Sequence, residues 1–262
     1  TLAEANRDLL TADPEVEAAP DKFFDEIVEI DLDALEPHIV GPHSPDLARP
    51  VSRMASDVAA NGYPDRLTSA LIGSCTNSSY EDIARAADVA EQALAHGAAV
   101  RSPLLVTPGS EQIEATIGRD GQMATLAKLG ATVLANACGP CIGQWKRDDI
   151  AAGEVNSIIS SFNRNFAKRN DGNPQTNSFI GSPEIVVAYA LAGRLSFNPL
   201  TDPIEDGKGG AFRLAPPKPA PEIPPDGFVF KAEGFVAPPA DPSGLEVKVR
   251  DDSKRLQLLQ PF

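Results

Sequence analysis

The sequence predicts an α/β fold: a three-layer α/β/α domain with a mainly parallel sheet, followed by an extended, proline-rich tail. Three observations carry this. Between residues 66 and 200, short apolar runs alternate with longer helical stretches, the pattern of βαβ units whose parallel sheet is covered on both faces. Serine caps open several of those helical stretches and glycines close them, as helix ends require. Eleven of the 24 prolines fall after residue 200, in runs such as APPKPAPEIPPDG, where a helix or central strand cannot continue. Three zones result: a mixed N-terminal segment (1–65) expected to pack on the core, an α/β domain (66–200), and a proline-rich linker (201–262).

In the first zone, TLAEANRDLL suggests a short helix, and EIVEIDLDAL (26–35) alternates like a strand. PHIVGPHSPDLARPV (37–51) reads as an extended loop. In the second, RLTSALIGS (66–74) is a short strand that ends at Cys75. Ser78-Ser79-Tyr80-Glu81 has the spacing of a capping box, Ser78 capping and Glu81 reaching back. The helix IARAADVAEQALA follows and stops at Gly97. PLLVT (103–107) is a strand, PGSEQIEATIG opens a helix at Ser110, and QMATLAKLG (122–130) is a helix ended by Gly130. ATVLAN (131–136) is a strand running straight into Cys138-Gly-Pro-Cys141. VNSIISS (155–161) is another strand. Ser182-Pro183 is a cap with proline at the first helical position, opening EIVVAYALAG. The tail reads as polyproline-like chain with one hairpin, and its length implies that further chain follows. There is no internal repeat.

Composition narrows the function. The 262 residues suffice for one large or two small domains. Aromatics are only 6%, so the core is mostly Ala, Val, Leu and Ile. With 23 basic and 37 acidic residues the net charge is −14, which argues against nucleic acid or an anionic membrane as partner. An anionic substrate must then be held by local arginines. No apolar run approaches the roughly 20 residues of a membrane span. The start lacks the basic and apolar regions of a signal peptide and lacks methionine, so a processed product or an excised piece is expected. Three cysteines do not make a disulfide framework and point to a reducing interior.

Cys75, Cys138 and residues 162–169 each follow a predicted strand. In α/β sheets, ligands bind beyond those strand ends. The CGPC alone suits thiol–disulfide exchange, but that leaves Cys75 unused. Zinc wants four ligands, and His38, His43 and His96 sit in ordinary settings; His96, at a helix end, complements the helix dipole. Three inert, buried cysteines are the bland alternative. An iron–sulfur cluster accounts for the odd count: three thiolates on a [4Fe–4S] cubane leave one iron open as a Lewis acid. Gly139, Pro140 and Gly143 let the backbone approach such a core. Thr76, Asn77 and Ser78 could donate to its sulfides, and a helix start at Ser78 favours the Cys75 thiolate. In SFNRNFAKRND (161–171), Arg164 and Arg169 have the planar forks that bind carboxylates. The alternative is two solvated arginines, with Asn163, Asn165 and Asn170 as turn residues.

GSCTNSSYED (73–82), TPGSEQI (107–113), LANACGPCIGQW (134–145) and FNRNFAKRND (162–171) together resemble the aconitase family. The flanks PHIVGPHSPDLARPV, FNPLTD (197–202) and KRLQLLQPF (254–262) look like it too. Large subunits of isopropylmalate isomerase and homoaconitase share the cysteine layout, but NACGPCIGQW and FNRNFAKRND are similar to the aconitase branch. The resemblance implies the third of four domains, with the linker toward the fourth. It implies that Cys75, Cys138 and Cys141 ligate a [4Fe–4S] cluster, that Asn163 lies near it with Asn77, and that Arg164 and Arg169 bind substrate carboxylates. The implied reaction is the isomerisation of citrate and isocitrate through cis-aconitate, in a bacterial cytosol or a mitochondrial matrix. The family's acid and base groups come from other domains, so this chain is expected to hold no catalytic residue and to be inactive alone. Its expected partners are a tricarboxylate and the remaining domains.

Overall fold

The computed structural model describes residues 2–73, 75–230 and 236–256. The last six residues of the KRLQLLQPF match lie outside them. The N-terminal stretch forms three short helices, α1 (Leu2–Ala5), α2 (Arg7–Leu10) and α3 (Pro14–Ala18), none of which buries a residue. EIVEIDLDAL forms no strand: Ile27, Val28, Ile30, Leu32 and Leu35 are all exposed. Alternation yields a strand only where a sheet edge or a core receives the apolar face, and within the described chain nothing does.

Two strands do form where the sequence suggested a loop, β1 (His38–Val40) and β2 (Ala48–Pro50), paired antiparallel. Their prolines hid them, yet Pro50 ends an edge strand, where a missing N–H costs little. Helix α4 (Met54–Asn61) went unread; it buries Met54 and Val58, one turn apart.

The α/β part follows the expected order. It runs β3 (Leu67–Ile72), α5 (Tyr80–Ala95), β4 (Leu104–Val106), α6 (Glu111–Arg119), α7 (Gln122–Leu129), β5 (Thr132–Val133), β6 (Asn156–Ser160), β7 (Thr176–Ile180) and α8 (Pro183–Ala192). The capping box exists one residue later than the spacing suggested. The Ser79 hydroxyl accepts from the Asp82 N–H at 3.2 Å, and the Asp82 carboxylate accepts from the Ser79 N–H at 3.0 Å. Ser110 caps α6 as expected, accepting from the Ile113 N–H at 3.1 Å. β5 is only two residues long, and β7 was missed because TNSFI abuts the α8 cap.

The seven-stranded sheet has the order β2-β1-β7-β6-β3-β4-β5, parallel from β7 to β5, with β1 antiparallel to β7 and to β2. On one face α5, α7 and α8 bury the main core. From Ile185 to Leu191, α8 is buried on every side, which explains its nearly continuous apolar text. The other face carries a smaller cluster of Leu71, Ile158, Phe162 and Cys141, with Leu105 and Trp145 packed on it. Its cover is irregular chain from the 134–145 region rather than a helix. The chain steps outward from β3 to β4 and β5, returns to β6 on the far side of β3, and steps outward again to β7. Right-handed crossovers must therefore lie on opposite faces for the two directions, and the β3/β6 boundary is the switch point.

The tail forms the expected hairpin, β8 (Ile204–Glu205) with β9 (Ala211–Phe212). Beyond it the chain is docked on helices. The Gln92 amide accepts from the Ala215 N–H at 2.9 Å and donates to its carbonyl at 3.2 Å. The Val229 N–H donates to Thr116 Oγ1 at 3.0 Å, and Arg119 donates to the Gly227 carbonyl at 2.9 Å.

Candidate functional site

The switch point brings two loops together. The loop after β3 carries Cys75, and the segment after β6 carries Asn163, Arg164 and Arg169. Ser161, fully buried, fastens one to the other. Its hydroxyl accepts from the Gly73 N–H at 3.0 Å and lies 3.1 Å from the Asn77 carbonyl. Asn77 returns the link, donating its amide to the Ser161 carbonyl at 2.6 Å. Asn163 donates to Thr76 Oγ1 at 3.3 Å, beside Cys75.

The CGPC is a single 3-10 turn, Gly139–Ile142, with Cys138 at its cap position. No α-helix begins there, so the dithiol lacks the helix N-terminus that lowers a redox thiol's pKa. Gly143 closes the turn at φ +84°, in the left-handed region. Its Cα faces the Arg169 carbonyl, which a Cβ would meet at 3.3 Å; the glycine serves the approach of the 162–171 segment. Asn170, buried, donates to the Pro140 carbonyl at 3.0 Å. Asn165, also buried, donates to the Ser44 carbonyl at 3.1 Å. Both are tertiary ties rather than the local turn residues their identity suggested.

Cys75 and Cys138 are exposed and Cys141 is buried, all three free. Burial pushes the Cys141 thiol up, the Arg169 guanidinium beside it opposes this, and Cys138 and Cys75 are close enough to add to the rise. Arg169 is half-buried, lies 5.4 Å over the Phe166 ring, and keeps a buried Nε without a partner; Arg164 is exposed. The histidines are engaged elsewhere: His38 with the Glu36 carbonyl, His43 with Asn177, and His96 stacked on Phe212 at 4.2 Å. Among the described residues no three His, Cys, Asp or Glu groups could hold a metal ion together. Thiolates of a cubane each bind a different iron, and so stand farther apart than the ligands of one ion. Among the described residues, no helix is long and apolar enough to cross a membrane.

Sequence reasoning singled out the cysteines and arginines, passed over Ser161, and offered Asn170 only as a turn residue. Ser161 gave one signal: a hydroxyl directly after a buried strand, where a loop needs a partner.

A parallel sheet with Cys141 packed between β3 and β6 and Arg169 beside it is an α/β domain whose switch point has the position in which such sheets hold ligands. Residues 3–193 match the Aconitase family (aconitate hydratase), and the chain belongs to that family. It is 54% identical to the mitochondrial aconitate hydratase of Saccharomyces cerevisiae, over 98% of this chain and 32% of that protein. It is 53% identical to that of Gracilaria gracilis, over 100% and 33%. It is 54% identical to that of Arthroderma benhamiae, over 91% and 31%. The chain thus spans about a third of the length of these relatives.

Proposed function

We propose that the protein of which this chain is about a third is an aconitate hydratase, and that this piece is its cluster-holding domain. The observation that carries the reading is the packing of Cys141 on Leu71 and Phe162, beside the strand ends from which the Cys75 loop and the 162–171 segment leave, with Ser161 tying those two segments together. The donor set fits a [4Fe–4S] cluster: three thiols on two loops, with Cys141 rooted in an apolar patch. Cys75, Cys138 and Cys141 would hold it. When bound, the cluster supplies an iron without a protein ligand, a Lewis acid for a substrate hydroxyl.

The chain's own residues bind and orient. Among the described residues no carboxylate pairs with Arg164 or Arg169, which suits them to the carboxylates of citrate, isocitrate and cis-aconitate. Asn163 holds Thr76 and so the Cys75 loop, and Asn77 holds the same loop to Ser161. These two asparagines would thus set the place of the loop that carries Cys75. Proton transfer falls to residues outside this chain, so the piece alone is inactive. The zones 1–65, 66–200 and 201–262 are read as a packing segment, the cluster domain and a linker to the rest of the parent. The relatives' names place them in mitochondria, which favours the matrix over a bacterial cytosol. The aconitase branch is also favoured over isopropylmalate or homoaconitate isomerases, because the relatives above are aconitate hydratases.

Anaerobic reconstitution of the full-length parent with iron and sulfide tests the reading. It should give broad visible absorption and citrate–isocitrate interconversion, both lost in Cys75→Ser. A parent that repeatedly fails to take up iron and sulfide would rule the reading out.

A further inference from the structure

We infer that Ser161 is a positioning residue that sets where Cys75 stands relative to the CGPC turn. The inference rests on the cluster reading above. Ser161 is the first residue past β6, and its own N–H is fixed on β3 by the Leu71 carbonyl at 2.9 Å. Its hydroxyl accepts from the Gly73 N–H at 3.0 Å and has one proton to give, to the Asn77 carbonyl at 3.1 Å or the Gly73 carbonyl at 3.3 Å. Its carbonyl accepts from the Asn77 amide at 2.6 Å. Both ends of the 73–77 loop are thereby tied to one buried residue, and Cys75 sits midway between the ties. The next residue, Phe162, packs in the same apolar cluster as Cys141. One short run of backbone thus spans the support of Cys75 and the support of Cys141. A side chain of this size can both accept and donate only if it carries a hydroxyl, and Ser161 is shut off from bulk solvent at 0% exposure.

The test uses the full-length parent with its cluster reconstituted, and follows visible absorbance during anaerobic incubation with a chelator. Ser161→Ala should bleach about tenfold faster than the parent, the low end of what loss of an outer-shell partner does to metal affinity. Ser102→Ala is the matched control. Its hydroxyl is equally buried and donates to the Leu67 carbonyl at 2.8 Å, at the other end of β3. It should bleach at the parental rate, and only Ser161→Ala should alter the paramagnetic resonance spectrum of the reduced cluster. The inference is overturned if Ser161→Ala stays within about twofold of the parent, or if Ser102→Ala bleaches equally fast. If Ser161→Ala does not fold, Asn77→Ala, which frees the same loop from its other side, carries the same expectation, and a parental rate there overturns it. A wild-type parent that takes up no cluster overturns the underlying reading and this inference with it. One that loads normally while Ser161→Ala bleaches at the parental rate overturns the inference alone.

Discussion

Arg147 and Arg169 both pack near the cluster side of the sheet over an aromatic ring, and they are held in opposite ways. Arg147 reaches the amino end of β6, where it donates to Asn156 at 2.9 Å and pairs with Asp149 at 2.6 Å and Asp171 at 3.6 Å. Asp171 in turn accepts from the Thr176 hydroxyl at 2.7 Å. Arg169 stands beside Cys141. Each guanidinium lies over an aromatic ring, Trp145 at 4.7 Å and Phe166 at 5.4 Å. Only Arg147 has carboxylates within the described chain. A cation neutralised during folding holds structure, while a cation left without an anion is available to one that arrives.

The largest expected effect is on the structural arginine. The Arg147 and Asp171 side chains are each 4% exposed, so Asp171→Ala takes one of two carboxylates from a buried guanidinium and the acceptor from the Thr176 hydroxyl, and should cost about 3 kcal/mol of unfolding free energy in urea. Parental stability in that variant would break the contrast. Next comes the other arginine. Hydrogen bonds to charged groups are worth about 1.5–3 kcal/mol, so Arg169→Ala in the parent should lower kcat/KM for citrate about 10- to 100-fold. Its stability should change by less than about 1 kcal/mol; a loss as large as that of Asp171→Ala would make Arg169 a structural cation too. Asn170→Ala sits between the two cases, one residue before Asp171 and one after Arg169. It should cost about 1–2 kcal/mol in thermal unfolding, because the half-buried Pro140 carbonyl loses its donor.

The smallest effect is on pH dependence. The Arg147 hydrogen bond holds the Asp149 carboxyl below the usual carboxylate range, against the opposing effect of burial. Its folded value lies below its unfolded one, so its stabilisation is complete above the ordinary carboxylate range and is lost as pH falls through the depressed value. The Asp149 side chain is 57% exposed, so solvent screens the pair and this acid limb is shallow. Arg147→Met should flatten it in a stability–pH series, and Arg169→Ala should leave it unchanged.

The parts of the fold that could be read in advance are those with local causes. Ser110 and Gly130 mark helix ends because capping is chemistry within one turn. The strands LTSALI and NSIIS announce themselves because both faces are buried. Partnered structure was harder to read. EIVEIDLDAL has a strand's alternation and no sheet to join, while HIV and ARP pair across a turn that looks like loop. The candidate site divides the same way. Its proposed chemical groups, Cys75, Cys138, Cys141, Arg164 and Arg169, can be picked out by residue type and motif, and the supports of the segments that carry them cannot. Ser161 and Asn170 act on backbone groups 84 and 30 residues away in sequence, and no local pattern encodes such a pairing.

The docked tail carries a consequence for how this protein can change over time. Its route is fixed by its own peptide groups: Gln92 grips both sides of Ala215, Thr116 holds the Val229 N–H, and Arg119 holds the Gly227 carbonyl. Lys218 adds its ammonium to Asp88 at 3.0 Å. Peptide groups are the same whatever side chain they bear, so the residues between these grips can drift without altering the path. Inserting or deleting one would throw every later grip out of step. The tail behaves as a ruler whose markings are indifferent to sequence and intolerant of a change in length.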